Sequence, residues 1–410
     1  MNHSKLAKTR RQLGGLALLS SLALVGCGGG GGGGSTSGNG SPAPASQFVV
    51  FGDSLSDAGT YVMVGLAKAG TVNGKTYSAA GRFTTNPGKT WVEYLAERYG
   101  TVLGPKLFTG PSVGPGGTAG TVNAGGTNYA QGGARVAVSP GIGAFATNTA
   151  GDLIDASGVP LSGYTIVGSN CVPTVGTPVS TGITATSITS QIDSYLADNP
   201  TIPADKTIII SGGANDIFVQ LTGINKCTAA FAAQAQANVV TAAGQLVTQI
   251  NRLLTAGAAR IVIGTLPDLS KTPLGLANPT AQTFLQGMSQ SVINNTLVTT
   301  FTGNTKVQFA RMDTFLNNVL ASPSTYGITV TNTATACDLT KMYTRITDYA
   351  TGGTPSPANR TTSALACNEI DYVTSNAAST YIFADTVHPS STIHQQFANN
   401  IYTQLRAAGW

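Results

Sequence analysis

The chain has 410 residues, only 10% of them charged, with 22 Lys and Arg against 17 Asp and Glu. Four of those bases (Lys5, Lys8, Arg10 and Arg11) sit in the first 26 residues with no acid among them, which leaves 18 bases facing 17 acids in the remainder. So nearly neutral a body offers no electrostatic basis for binding nucleic acid, and it is long enough for one large core carrying long insertions.

The first 45 residues do not read as fold. A basic leader runs into an apolar stretch from Leu13 to Val25, too short to span a bilayer comfortably, and Leu24-Val25-Gly26-Cys27 closes it as an export signal would. Small residues followed at once by cysteine resemble the bacterial lipoprotein cleavage box, in which Cys27 is lipidated and becomes the first mature residue. A plain secretory signal that happens to carry a cysteine is the alternative. Gly28 through Gly34, then Ser, Thr, Asn and Pro up to Ala45, make a flexible tether. The expected organisation is a signal peptide over 1–26, a tether over 27–45 and one domain over 46–410. Gly28 after the cysteine, with no aspartate there, resembles lipoproteins sorted to the outer membrane. A membrane anchor through Cys27 and an outward-facing location are therefore expected, or else secretion.

Four further cysteines, Cys171, Cys227, Cys337 and Cys367, are an even number in an exported chain and imply two disulfides. Three pairings exist, of which Cys171–Cys227 and Cys337–Cys367 are the most local. None has zinc-knuckle spacing, and beyond the leader only His388 and His394 remain, which argues against a zinc site.

Phe48-Val49-Val50-Phe51 is an apolar, β-branched run of the kind that forms a buried strand, and it stops abruptly at Gly52-Asp53-Ser54. A serine at the carboxyl end of the first strand of an α/β sheet stands where such folds bind ligands. Gly-Asp-Ser is also an ordinary turn and helix cap. Asp57-Ala58-Gly59 leads into a helix expected from Tyr61 to Ala69. A loop with Gly81-Arg82-Phe83-Thr84 follows, then a helix over 89–99 with Pro87 just before it and Trp91 as a core residue.

Residues 100–126, rich in Gly and Pro, read as a long loop. Gly110-Pro111-Ser112-Val113-Gly114 inside it matches a nucleophile-elbow pattern but lacks the strand before and the helix after. Gly141 to Ala146 loosely resembles a dinucleotide fingerprint, again without a following helix. Between them, Gly125 to Arg135 reads as a short strand ending in a glycine turn, where backbone N–H can approach a ligand closely. Residues 139–186 read as an inserted loop region.

Ser187 to Asp198 is amphipathic, and Thr207-Ile208-Ile209-Ile210-Ser211 is a buried strand running into Gly212-Gly213-Ala214-Asn215-Asp216. A long alanine-rich helix from Thr228 to Ala256 ends at Gly257, and a strand at Arg260 to Gly264 follows. A helix over 279–300, a strand over 306–312, a helix beginning near Thr314, a second insertion over 323–380 and a final helix from Ile393 to Ala407 complete the chain. Strands alternating with helices predict a five-stranded, doubly wound parallel sheet covered on both faces.

Serine is a poor nucleophile until a base takes its proton, and the usual base is a histidine oriented by a carboxylate. His388 sits in a loop with Asp385 three residues before it and Pro389 after it, so the carboxylate can reach one ring nitrogen while the other faces Ser54. Taken alone, Asp385 and His388 also read as a solvated turn. His394 lies inside the last helix, where a surface or helix-face role outweighs a catalytic one. An oxyanion would need donors, and the N–H of Ser54, the N–H of Gly132 or Gly133 and the side-chain amide of Asn215 all fall at strand ends.

Gly52-Asp53-Ser54-Leu55, the Gly132-Gly133 pair, Gly213-Ala214-Asn215-Asp216 and Asp385-Thr386-Val387-His388 occur in the order of the four blocks of the GDSL, or SGNH, hydrolase family, which the chain resembles from position 52 to 388. The resemblance implies a flavodoxin-like three-layer α/β/α fold with about five parallel strands and ester hydrolysis without metal or organic cofactor. It carries the nucleophile to Ser54, the general base to His388, the orienting acid to Asp385, and the oxyanion donors to Ser54, Gly133 and Asn215. Gly133 is preferred over Gly132 by spacing from Asn128.

Gly81-Arg82-Phe83-Thr84 followed by Trp91 is similar to the larger secreted, lecithinase/haemolysin-like branch, from which Thr60 departs where that branch often has Asn. The reading is a serine esterase or lipase acting on acyl esters or lipids, expected to be a monomer, with residues 61–69 and the glycine-rich insertions expected to shape an acyl pocket. An acyltransferase or phospholipase of the same family, or a carbohydrate acetylesterase, are the alternatives. A surface binding protein on a hydrolase scaffold would not need the Ser-His-Asp set.

Overall fold

Three apolar runs rich in β-branched residues, which must be covered on both faces, and a fourth, half-exposed edge segment form the central sheet. In the computed structural model they are β1 (Gln47–Phe51), β2 (Lys206–Ser211), β3 (Arg260–Gly264) and β4 (Val307–Ala310), all parallel and adjacent in that order. The structure describes residues 47–61, 70–72, 75–77, 80–110, 120–142, 146–147, 153–154, 164–167, 170–173, 185–221, 224, 229–342 and 363–410. The expected leader, Cys27, the tether, the helix beyond Tyr61, Ser112 and Cys227 lie outside them. Among the described residues no helix is long and apolar enough to cross a membrane.

Register fixes which side chains share a face. Val49, Ile208, Ile261 and Val307 lie in line across the sheet. They pack on α2 (Ile188–Asp198), on the long α4 (Ala229–Thr255) and on a helical run from Pro279 to Phe301. One residue along, Val50, Ile209 and Val262 point the other way. They meet α1 (Trp91–Arg98), α5 (Met312–Ala321) and α6 (Ser391–Ala407). The period of two along each strand thus builds two cores, one above and one below the sheet. Between β2 and α4, the short helix α3 (Ala214–Phe218) opens directly from the end of β2.

The sheet has four strands rather than five. The stretch expected to supply the fifth lies beside β1 but touches it as a single parallel bridge, Val50 to Asn128. Val50 N–H donates to Thr127 O, Tyr129 N–H to Val50 O and Gln131 N–H to Gly52 O. The chain then turns away at Gly132-Gly133, where Gly133 adopts a left-handed φ of +79, so the pairing with β1 ends there without becoming a ladder. The insertions are not featureless either. Leu107–Gly110 pairs with Gly120–Asn123, and Tyr164–Val167 pairs with Asn170–Pro173, which carries Cys171, as antiparallel two-stranded ribbons. The helix expected over 279–300 is a relay of short segments that includes a π-helical stretch, Gly287–Asn294.

Cys337 and Cys367 are joined by a disulfide. Both are fully buried, in a small core with Met342, Ala364, Ala366 and Ala384 that lies against the 385–388 loop.

Candidate active site

The turn after β1 is held from three directions. Gly52 N–H donates to Gln191 Oε1 and Gly52 O accepts from Gln191 Nε2, both at 2.9 Å. A Cβ on Gly52 would stand 2.8 Å from the carbonyl oxygen of Ser211, so only glycine lets β1 and β2 approach here. The chain then turns into a single 3-10 turn, Ser54–Ser56, capped by Asp53, whose Oδ1 accepts from Leu55 N–H. Asp53 Oδ2 is buried without a hydrogen-bond partner among the described residues. Burial pushes that carboxyl up to about 6, against the Leu55 N–H and the charge of His388, which pull it down.

Ser54 Oγ lies 2.8 Å from His388 Nε2, and His388 Nδ1 lies 2.7 Å from Asp385 Oδ2. The loop carrying the last two residues is a tight return. Phe383 bridges Pro389, Ala384 N–H donates to His388 O and Ser390 N–H to Ile382 O. Within it Asp385 Oδ1 accepts from Val387 N–H and His388 N–H, and Oδ2 also accepts from Ala364 N–H. Burial alone would raise the Asp385 carboxyl, but the charge and hydrogen bond of His388, with those backbone N–H groups, outweigh it and hold Asp385 below the ordinary carboxylate value. An ionised Asp385 fixes the proton on Nδ1 and leaves Nε2 free to accept from the Ser54 hydroxyl.

The candidate oxyanion donors meet the same point of the fold. Gly132 N–H donates to Asp57 Oδ2 at 2.9 Å, whereas the N–H groups of Ser54 and Gly133 have no protein acceptor among the described residues. Gly133 has φ +79, a conformation that glycine adopts without strain. A Cβ at Gly141 would stand 2.1 Å from the Gly133 carbonyl oxygen, which accounts for the glycine there without any dinucleotide. Asn215 is in the first turn of α3, and one hydrogen of its amide goes to Ala134 O at 2.8 Å, leaving the other for a ligand. Asp216 ties down the next residues, accepting from Val136 N–H and Arg135 Nε.

Several residues at the site were given no role from the sequence. Phe83 packs against the His388 ring, with centroids 5.0 Å apart, and against Tyr61 and Leu365. Gln191 grips the turn before Ser54 from α2, and Ala364 reaches Asp385 from the second insertion. Only long-range folding brings them there. Polar residues on an otherwise apolar helix face, as Gln191 is between Ile188 and Ile192, are the one hint that was legible.

His394 is not on the surface. It is fully buried on the inner face of α6, where Nδ1 accepts from Trp91 N–H at 3.2 Å. Burial, with His388 nearby, pushes its pKa down to about 3, so it is neutral. Among the described residues no cluster of three or more His, Cys, Asp or Glu is arranged to hold a metal ion.

The family model for GDSL-like lipases and acylhydrolases matches residues 48–401. The chain belongs to that family. A comparison with curated proteins finds no match. As a GDSL-family member the protein has the family's type of activity, acylhydrolase action on esters, carried on a parallel sheet flanked by helices.

Proposed function

We propose that the protein is a serine-dependent carboxylic ester hydrolase, an esterase or lipase working through an acyl-enzyme. The observation that carries this is the unbroken chain from Ser54 Oγ through His388 to Asp385, at 2.8 Å and 2.7 Å. As Ser54 attacks the ester carbonyl, Nε2 of His388 takes the hydroxyl proton, and the ionised Asp385 stabilises the imidazolium. The oxyanion meets the N–H groups of Ser54 and Gly133 and the free amide hydrogen of Asn215. Collapse breaks the bond to the leaving alcohol, which receives its proton from His388. A water activated by the same base then attacks the acyl-Ser54 ester and frees the acid.

The test is hydrolysis of a chromogenic acyl ladder, acetyl to palmitoyl, by the wild type and Ser54→Ala. The variant is expected to lose roughly three or more orders of magnitude in kcat with its fold intact. Equal activity in both would overturn the reading. The slope of the ladder separates a short-acyl esterase from a lipase.

The basic leader, the apolar stretch and Cys27 ahead of a glycine tether support export and lipid anchoring, with the acyl ester or lipid substrate met outside the cell. Cys27→Ser is expected to release an active soluble enzyme. Retention of that variant in the membrane fraction would argue against the anchor.

A further inference from the structure

We propose that Asp57 is a positioning residue for the oxyanion site: its buried carboxylate holds the Gly132 peptide so that the next N–H, that of Gly133, is left to meet the developing charge. This rests on the serine-hydrolase reading and adds to it a residue that never touches substrate.

Asp57 is fully buried three residues beyond Ser54, and each of its oxygens has its own task. Oδ1 accepts from Gly59 N–H at 2.9 Å and Thr60 N–H at 2.8 Å, closing its own turn. Oδ2 crosses to the other loop and accepts from Gly132 N–H at 2.9 Å. The opposite end of the same glycine is gripped too, because Tyr61 OH donates to Gly132 O at 2.9 Å. Both grips come from the segment that follows the nucleophile. Downstream, Asn215 holds Ala134 O and Asp216 holds Val136 N–H.

The loop is therefore fixed on both sides of Gly133, with the Gly133 N–H itself unused among the described residues. An oxyanion donor acts through being preorganised, so displacement of that N–H by a fraction of an ångström costs transition-state binding more than substrate binding. Because Asp57 and Ser54 share one short turn, nucleophile and oxyanion donor are registered to each other rather than independently to the scaffold.

Asp57→Asn separates the two tasks. An asparagine keeps one oxygen for Gly59 and Thr60, but its amide nitrogen cannot accept from Gly132 N–H. The variant is expected to lose about 10- to 100-fold in kcat with KM within about twofold of wild type, on the scale of a weakened oxyanion donor. Binding of an alkyl boronic acid, a tetrahedral mimic, should weaken by the same factor. Tyr61→Phe, which removes the other grip and keeps the ring, should move both quantities in the same direction by less.

Wild-type kcat in folded Asp57→Asn, or a loss that appears in KM alone, overturns the inference. If Asp57→Asn fails to fold, Tyr61→Phe decides it, and unchanged boronate affinity there overturns it. Activity surviving in Ser54→Ala is a different failure, that of the serine-hydrolase reading itself.

Discussion

The backbone N–H of Ala364 lies 2.5 Å from Asp385 Oδ2, the same oxygen that faces His388 Nδ1. Ala364 is three residues before Cys367, and the partner cysteine, Cys337, donates its own N–H to Ala384 O. Both ends of the disulfide therefore hold the segment that presents the acid.

Opening the disulfide should accordingly lower catalysis as well as stability. A hydrogen bond to a charged group contributes about 1.5–3 kcal/mol, so losing it would slow turnover by roughly 10- to 100-fold. Removing a native disulfide also costs about 2–5 kcal/mol of stability. The check is kcat of the Cys337→Ser/Cys367→Ser double variant, measured well below its melting temperature. Full kcat in that folded variant would show that Asp385 is oriented without the disulfide.

Gly132 and Phe83 should prove interdependent. A Cβ added at Gly132 would stand 2.0 Å from Phe83 Cζ, and Phe83 is itself wedged between His388 and Tyr61. Gly132→Ala is expected to cost about 100-fold or more in kcat by pushing the ring onto His388 and the loop off its position. Phe83→Leu in the same molecule makes room and should recover part of that loss. Strict additivity of the two effects in a double-mutant cycle would remove the steric argument.

His394 should make the protein sensitive to acid. Its folded pKa is pushed down to about 3 from an ordinary 6.5, so below pH 6.5 the unfolded chain binds a proton that the native state refuses. Stability from this group is complete above the ordinary value and falls with pH through the window between the two, by about 1.4 kcal/mol per pH unit well inside it. Asp53 and Asp57 act in the opposite sense. Burial raises both to about 6 from 3.8, so their native forms hold protons the unfolded chain releases, and their cost diminishes as pH falls through that interval. Comparison with His394→Asn, whose oxygen can still accept from Trp91 N–H, isolates the histidine. Urea midpoints from about pH 7.5 to about pH 4.5 should show the gap between wild type and variant narrowing toward acid. Parallel curves would mean that His394 takes up its proton within the fold.

Gln191 provides a test of how firmly the turn before Ser54 must be held. Gln191→Leu keeps the volume but leaves Gly52 N–H without its acceptor in a buried place. A loss of about 1–3 kcal/mol in stability is expected, with a fall in kcat, and the Gln191→Glu variant should retain the Gly52 N–H bond. Stability equal to wild type in Gln191→Leu, from denaturant melts, would show that the turn is fixed by the sheet alone.

What the chain determined by itself was local. Apolar β-branched runs such as Phe48–Phe51 and Ile208–Ile210, and the helix signals around Trp91 and Ile188, depend on neighbours a few residues away, so strand, helix and α/β/α layering were legible. So were the turns that end the strands, because Gly-Asp-Ser and Gly-Ala-Asn-Asp are short-range chemistry.

Tertiary structure decided what depends on distance through space. It reduced the fifth strand to the bridge at Asn128, since pairing length is a property of two segments and not of one. It put His394 inside, because α6 turns toward the sheet a face that also carries Phe397 and Ile401, and hydrophobic burial carried the imidazole with it. It left Gly133 rather than Gly132 with an N–H unused among the described residues, because a carboxylate 75 residues away accepts the other. Sequence names the groups able to donate; which donors stay free is settled by the partners that folding brings to the rest.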